Sequence, residues 1–218
     1  MTQISVRAPR AEAVSLCVFD SESETRVPMA RQGDDWVAQA PPPGARYGLR
    51  AWGEWAPERG LWFDPTKLLV DPRAVELDRR YIQHPRLAEY GVDTAHLVPK
   101  AIVQPPARQR PLAPPQFAQG GLIYELNVRA FTMLHHDIPA HQRGTVAALA
   151  HPAVLAHLER LHVSAVELMP ITAWIDERHL PPLGLGNAWG YNPVVPMALD
   201  PRLCPGGVAE LRDTVAAL

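Results

Sequence analysis

A proline-rich segment at residues 104–119 divides the sequence into two parts with different hydrophobic patterns. The segment has five prolines and no apolar periodicity, which is typical of a connector between domains. Short β-type runs precede it, whereas strand-like and helix-like runs alternate after it. We therefore predict an amino-terminal domain at residues 1–103, a linker at 104–119 and a second domain at 120–218.

The first part has the pattern of a β-sandwich. Short runs of β-forming residues at 14–19, 35–38 and 45–52 are separated by turn-forming clusters. In the third run, alternation predicts one face carrying Tyr47, Leu49 and Ala51 and the opposite face carrying Arg46 and Arg50. Scattered arginines such as these are expected on a solvated surface.

The segment at residues 61–72 is more apolar than a surface loop should be. We therefore predict that it packs against the neighbouring domain.

The second part has a strand, helix, strand, helix order. We predict strands at residues 121–131 and 163–171 and a final helix from about Val208. Pro152 suits the first turn of the intervening helix, and the apolar residues that follow at helical spacing are Val154, Leu155, Leu158 and Leu161. Such a crossover joins parallel strands, and ligands bind where the carboxyl ends of those strands meet loops. Because two strands cannot close a barrel, we expect further strands beyond residue 218.

Composition argues against several classes of partner. A net charge of −2 is unlike that of proteins that bind nucleic acid or anionic membranes. No apolar run approaches membrane-spanning length and no signal-peptide pattern is present, so a cytoplasmic location is expected. Cys17 and Cys204 lie far apart and the histidines have no metal-ligand spacing, so we predict two free, buried thiols, no metal and no cofactor.

Two features of the second part suggest chemistry. Trp189 and Tyr191 lie on a glycine-containing loop and could stack on sugar rings, although ordinary loop packing is the alternative. Glu125 and Glu167 interrupt apolar strands, as a catalytic carboxylate pair would. We favour the alternative that these glutamates form structural hydrogen bonds, with Arg129 or Asn127 as partners.

Several ordered motifs resemble the glycogen debranching enzymes and isoamylases of the α-amylase superfamily, glycoside hydrolase family 13. In the second part they lie at residues 123–125, 136–145, 150–152, 165–170, 184–187 and 189–193. The first part is similar to the amino-terminal β-sandwich of that family at residues 43–50 and 60–72. The resemblance covers nearly the whole chain.

The resemblance implies a specific architecture and site. It implies a starch-binding-like, immunoglobulin-like β-sandwich followed by the first two βα units of a (β/α)8 TIM barrel. It assigns Tyr191 as the stacking platform beside the scissile bond, with Trp189 and Asn192 as neighbouring substrate contacts. The family uses an Asp nucleophile, a Glu acid/base and a second Asp on later barrel strands. No catalytic residue is therefore assigned within the 218 residues.

The expected activity of the parent protein is hydrolysis of α-1,6 branch linkages in glycogen or limit dextrin, so that its partner is a branched α-glucan. The chain alone is expected to be inactive. One alternative is a non-catalytic carbohydrate-binding or scaffold fragment. Another is a related enzyme that transfers glucan or releases trehalose.

Overall fold

The amino-terminal part consists of short antiparallel strands. The computed structural model describes residues 3–21, 23–106, 117 and 119–218, so most of the predicted linker at 104–119 lies outside the described residues. The strands are β1 (Gln3–Arg7), β2 (Ala13–Asp20), β3 (Ser23–Pro28), β4 (Ala30–Gln32), β5 (Asp35–Gln39), β6 (Arg46–Trp52), β7 (Trp55–Ala56), β8 (Leu61–Trp62) and β9 (Ala101–Ile102).

Two sheets form the predicted β-sandwich. One has the strand order β3-β2-β6-β9 and the other β1-β5-β4, and every pairing in them is antiparallel. A shared core between the sheets contains Ile4 and Trp36 from one sheet and Leu16 and Leu49 from the other. The sandwich prediction is confirmed.

The outer face of the larger sheet is also covered. Leu68 packs there with Cys17, Phe19 and Val98. Leu69 exchanges two backbone hydrogen bonds of 2.8 Å with Leu49 of β6. Leu68 and Leu69 therefore add to the sandwich itself, and packing of residues 61–72 against the neighbouring domain stays a prediction.

The second part begins with a strand, helix, strand unit. Strand β10 (Leu122–Leu126) pairs in parallel with β11 (Val163–Leu168), and α1 (Val128–Thr132) and α2 (Pro152–Arg160) lie between them in sequence. The prediction of a single strand at 121–131 is wrong, because the strand ends at Leu126 and α1 begins at Val128. Asn127 caps this helix, since the Asn127 Oδ1 accepts a hydrogen bond of 2.9 Å from the Ala130 amide.

Helix α2 begins at the predicted residue, and most of the apolar residues predicted for its packed face are at least partly buried. Pro152 occupies its first turn, where a missing amide hydrogen has no cost. Val154 and Leu158 are buried in a cluster with Ile138 and Ala148. Leu161 instead lies exposed just after the helix ends.

The predicted long loop after β11 contains a two-stranded ribbon. Strand β12 (Thr172–Trp174) pairs with β13 (Pro193–Leu199) in antiparallel fashion, and α3 (Gly207–Ala217) follows, close to the predicted start at Val208. The ribbon holds the two ends of residues 175–192 together. Trp189 and Tyr191 lie in this connection, and we call residues 187–193 the aromatic loop.

The two parts share a continuous apolar contact. Ala173, Val195 and Ala198 of the ribbon belong to the same buried cluster as Ala74 and Leu77 of the first part. The Leu199 amide donates to the Val75 carbonyl at 3.2 Å. The interface thus involves residues 74–77.

Both cysteines are buried and free, as predicted. Burial raises the pKa of each thiol to about 12, so both are uncharged and unreactive near neutral pH. Within the described ranges, no helix has the length and apolarity needed to cross a membrane.

Candidate functional site

An open groove of about 610 Å³ lies at the carboxyl ends of β10 and β11. Glu125 and Asn127 line it from the end of β10, and Met169 from the end of β11. Trp189 and Tyr191 form the opposite wall. The aromatic loop therefore lies at the strand ends where the sequence places a ligand site.

Trp189 and Tyr191 expose most of their ring surface. Trp189 is 67% exposed and Tyr191 is 61% exposed. Exposed aromatic side chains are costly in water, because each leaves a large apolar surface hydrated. Flat rings that border a groove are suited to stacking on the apolar faces of sugars.

Asn192 has a different position from the two aromatic residues. Its side-chain nitrogen donates to the Ile175 carbonyl at 2.9 Å, and its own carbonyl accepts from the Ile175 amide at 3.1 Å. These bonds close the base of the loop. A direct contact between Asn192 and a substrate stays a prediction.

Asn187 holds the loop backbone in place through hydrogen bonds, a role that was not predicted from the sequence. Its Oδ1 accepts from the amides of Trp189 and Gly190, both at 2.9 Å. Its Nδ2 donates to Glu177 at 3.0 Å and its amide donates to Asp176 at 2.8 Å. The local signal for this role is an asparagine with a glycine three residues later, because an asparagine side chain often accepts hydrogen bonds from the amides of the turn that follows it.

The loop is also held from both sides. The Trp174 indole nitrogen donates to the Asn187 carbonyl at 3.0 Å, and the Asn127 side chain donates to the Ala188 carbonyl at 3.1 Å. Arg202 lies 3.7 Å from the Trp174 ring centroid and pairs with buried Asp200 at 2.8 Å. The exposed rings are therefore carried by a rigid base.

Gly190 is required by the loop geometry, and its replacement by alanine should destabilise the protein. Its φ is +80°, and a Cβ atom there would lie 3.0 Å from the Pro170 carbonyl oxygen. We expect Gly190→Ala to lower the free energy of unfolding by about 1–3 kcal/mol in urea titrations.

Gly186→Ala is the matched control for this substitution. It lies in the same connection, lacks a positive φ, and its added Cβ would approach nothing closer than 3.4 Å. Equal unfolding midpoints for the two variants would show that Gly190 is not under steric constraint.

Three carboxylates beside the aromatic loop have structural partners. Asp176 and Glu177 hold Asn187, and Asp200 holds Arg202. Glu125 and Glu167 are paired in register, and both are exposed. Among the residues with described positions, neither glutamate bonds to Arg129 or Asn127, so the predicted structural pairs do not form.

The described ranges contain no group of three His, Cys, Asp or Glu side chains arranged to hold a metal ion. The groove is lined by two aromatic rings, several apolar side chains, Asn127 and the charged side chains of Glu125 and Arg129. Aromatic rings beside hydrogen-bonding groups suit a polyhydroxylated ligand, which stacks on the rings and bonds to the polar groups.

Comparison with known sequences is in accord with this geometry. Residues 1–74 match the model of carbohydrate-binding module 48, described as the isoamylase N-terminal domain. A glycogen debranching enzyme of Yersinia enterocolitica is 43% identical over 95% of this chain. The chain spans 34% of the length of that relative.

Solved structures share the fold at low sequence identity. The glycogen-degrading pneumococcal virulence factor SpuA, in a product complex, superposes with a TM-score of 0.69 at 20% identity, over 99% of this chain and 24% of its own. The type I pullulanase of Bacillus subtilis complexed with maltose gives 0.67 at 19% identity, over 99% of this chain and 30% of its own. The chain is therefore similar to one part of the glycogen debranching enzymes, and its residues 1–74 match the carbohydrate-binding module 48 family.

Proposed function

We propose that this chain forms one wall of the glucan cleft of an enzyme that hydrolyses α-1,6 branch linkages in glycogen or limit dextrin. The observation that supports this most directly is the pair of exposed rings, Trp189 and Tyr191, on a rigid loop beside a groove of about 610 Å³. The relatives that match the chain are named for debranching glycogen.

The same proposal extends to the architecture of the second part. We take β10, α2 and β11 to be the beginning of a (β/α)8 TIM barrel whose later strands carry the catalytic carboxylates. The parallel pairing of β10 and β11 and the burial of Val154 and Leu158 of α2 support it. Active sites of such barrels lie at the carboxyl ends of the strands, where the groove is.

The assay that tests this function uses branched limit dextrin and the full-length protein. We expect release of linear maltooligosaccharides, detected by chromatography, and no release from unbranched amylose. The 218-residue chain alone should release nothing, because no catalytic carboxylate is assigned in it.

Two results would contradict the proposal. Full-length protein that binds glycogen without releasing any product would favour a non-catalytic carbohydrate-binding role. Products formed from linear maltooligosaccharides, either longer glucans or trehalose, would favour a transferring or trehalose-releasing relative.

A further inference from the structure

A second cavity, of about 300 Å³, adjoins the groove. Asn127, Arg129 and Ala188 line both spaces, whereas Trp189 and Tyr191 line only the groove. The second cavity therefore lacks the exposed rings that suit the groove to a sugar, and its ligand has to be inferred from its other side chains.

Three arginines from separate segments line this second space, which we call the arginine cavity. Arg80 comes from the first part of the chain, Arg129 from α1 and Arg202 from the turn between β13 and α3. An arginine side chain is permanently charged and offers five N–H donors in a planar fork. Like charges around one cavity repel each other unless an anion lies between them.

Arg202 forms a fixed wall of the arginine cavity. Its Nε and Nη2 each donate to an oxygen of Asp200 at 2.8 Å, and Asp200 is fully buried. The guanidinium also lies 3.7 Å from the ring centroid of buried Trp174. Because Asp200 balances its charge, Arg202 contributes shape to the cavity more than net charge.

The other two arginines have no such counter-charge. Both Arg80 and Arg129 are exposed, and within the described ranges neither guanidinium forms a hydrogen bond or an ion pair. Among the described residues, Asp176 is the one acidic side chain that lines the cavity, and its Oδ1 accepts from the Asn187 amide at 2.8 Å. Two unpaired arginines against one aspartate leave the lining with a net positive charge.

We propose that the arginine cavity binds a small phosphorylated ligand, whose phosphoryl oxygens accept hydrogen bonds from Arg80 and Arg129. The planar guanidinium fork matches a phosphoryl group in both charge and geometry. A volume of about 300 Å³ is at the lower end of the range for small-molecule sites, so the ligand is no larger than a phosphorylated monosaccharide. This site goes beyond the proposed function, because it takes an anion and needs no glucan.

Isothermal titration calorimetry of the 218-residue chain with inorganic phosphate at low ionic strength tests this inference. We expect saturable binding, and Arg80→Gln/Arg129→Gln should raise the dissociation constant about tenfold, because both charged donors are lost. The matched control is Arg10→Gln/Arg212→Gln, which also removes one exposed arginine from each part and should leave the dissociation constant unchanged. Circular dichroism verifies that each variant folds.

Asp176→Asn should have the opposite effect. It removes the negative charge from the lining, while its side-chain oxygen can still accept from the Asn187 amide. We expect the dissociation constant for phosphate to fall about threefold. A purely structural role of these side chains would not produce tighter binding.

Two further titrants identify the source of the phosphoryl group. Tighter binding of glucose 6-phosphate than of inorganic phosphate would show that the cavity takes a phosphorylated sugar. Equal affinities would show that it recognises the phosphoryl group alone, as free phosphate. Glucose itself should not bind at the concentrations that saturate the cavity with glucose 6-phosphate.

Four outcomes would overturn the inference, and each would leave the proposed function intact. The first is no saturable binding of phosphate to the unaltered chain. The second is an equal dissociation constant for Arg80→Gln/Arg129→Gln and the unaltered chain. The third is an equal loss in the control variant, which would show diffuse attraction to surface charge. The fourth is binding of glucose that is as tight as that of glucose 6-phosphate, which would show a site for neutral sugars.

Discussion

Replacement of Arg50 by methionine is expected to lower the free energy of unfolding by about 3–5 kcal/mol at pH 7. The Arg50 side chain is fully buried. Its guanidinium donates to both Glu24 oxygens at 2.6 and 2.7 Å, to Asp93 at 3.1 Å and to the Thr66 carbonyl at 2.6 Å. Methionine keeps much of the volume but leaves these acceptors without their donor.

Urea unfolding followed by circular dichroism measures this loss. Arg46→Met is the matched control, because Arg46 lies on the same strand and face but is partly exposed and lies 3.7 Å from Asp78. We expect it to cost about 1 kcal/mol or less. Equal losses for the two variants would show that the buried network contributes no more than a surface ion pair.

The same network predicts a pH dependence. Burial by itself would raise the pKa of Glu24, but hydrogen bonds from Arg50 and Arg26 outweigh it and lower that pKa from 4.5 to about 2. A carboxyl with a lowered folded-state pKa stabilises the fold above its unfolded pKa, and this contribution disappears as the pH falls from about 4.5 to about 2. The stability difference between the unaltered protein and Arg50→Met should therefore shrink over that range.

Under the proposed function, Tyr191→Ala in the full-length protein is expected to reduce kcat/KM on limit dextrin by about 10- to 100-fold. The Tyr191 ring is 61% exposed at the groove, so its removal takes away a stacking surface and leaves the loop anchors on Asn187 unchanged. The initial rate of linear maltooligosaccharide release gives the measurement.

Two further variants identify what Tyr191 contributes. Tyr191→Phe keeps the ring and should retain most of the activity if stacking is the main interaction. Met197→Ala removes another exposed large side chain, on neighbouring β13, and should leave kcat/KM unchanged. An unaltered kcat/KM in Tyr191→Ala would remove this residue from the site.

Local sequence patterns predicted much of the fold because strand alternation and helix capping act over a few residues. The run at 14–19 became β2, the run at 45–52 became β6, and Pro152 began α2. The aromatic loop was predicted to lie at the strand ends because the order of elements sets that edge, and Trp189 and Tyr191 are there. The alternation of apolar residues along the chain and the order of the predicted elements were sufficient to predict these features.

Other features depend on residues that are distant in sequence. The alternation of apolar and polar residues in β6 predicted that Arg50 lies on a solvated strand face. The segment at residues 64–98 covers that face instead. The partners of Arg50 are Glu24 and Asp93, which are 26 and 43 residues away in the sequence. The ribbon of β12 and β13 likewise needs the two ends of a long loop to meet.

The sequence by itself determined the positions of β2, β5 and β6, where α2 begins and which rings the loop offers. Only the tertiary structure decided that Arg50 is buried, that residues 74–77 join the two parts, and that Trp62 and Tyr90 both contact Trp55. The physical reason is that the first group depends on backbone preferences within a single segment. The second depends on which distant segments exclude water from each other.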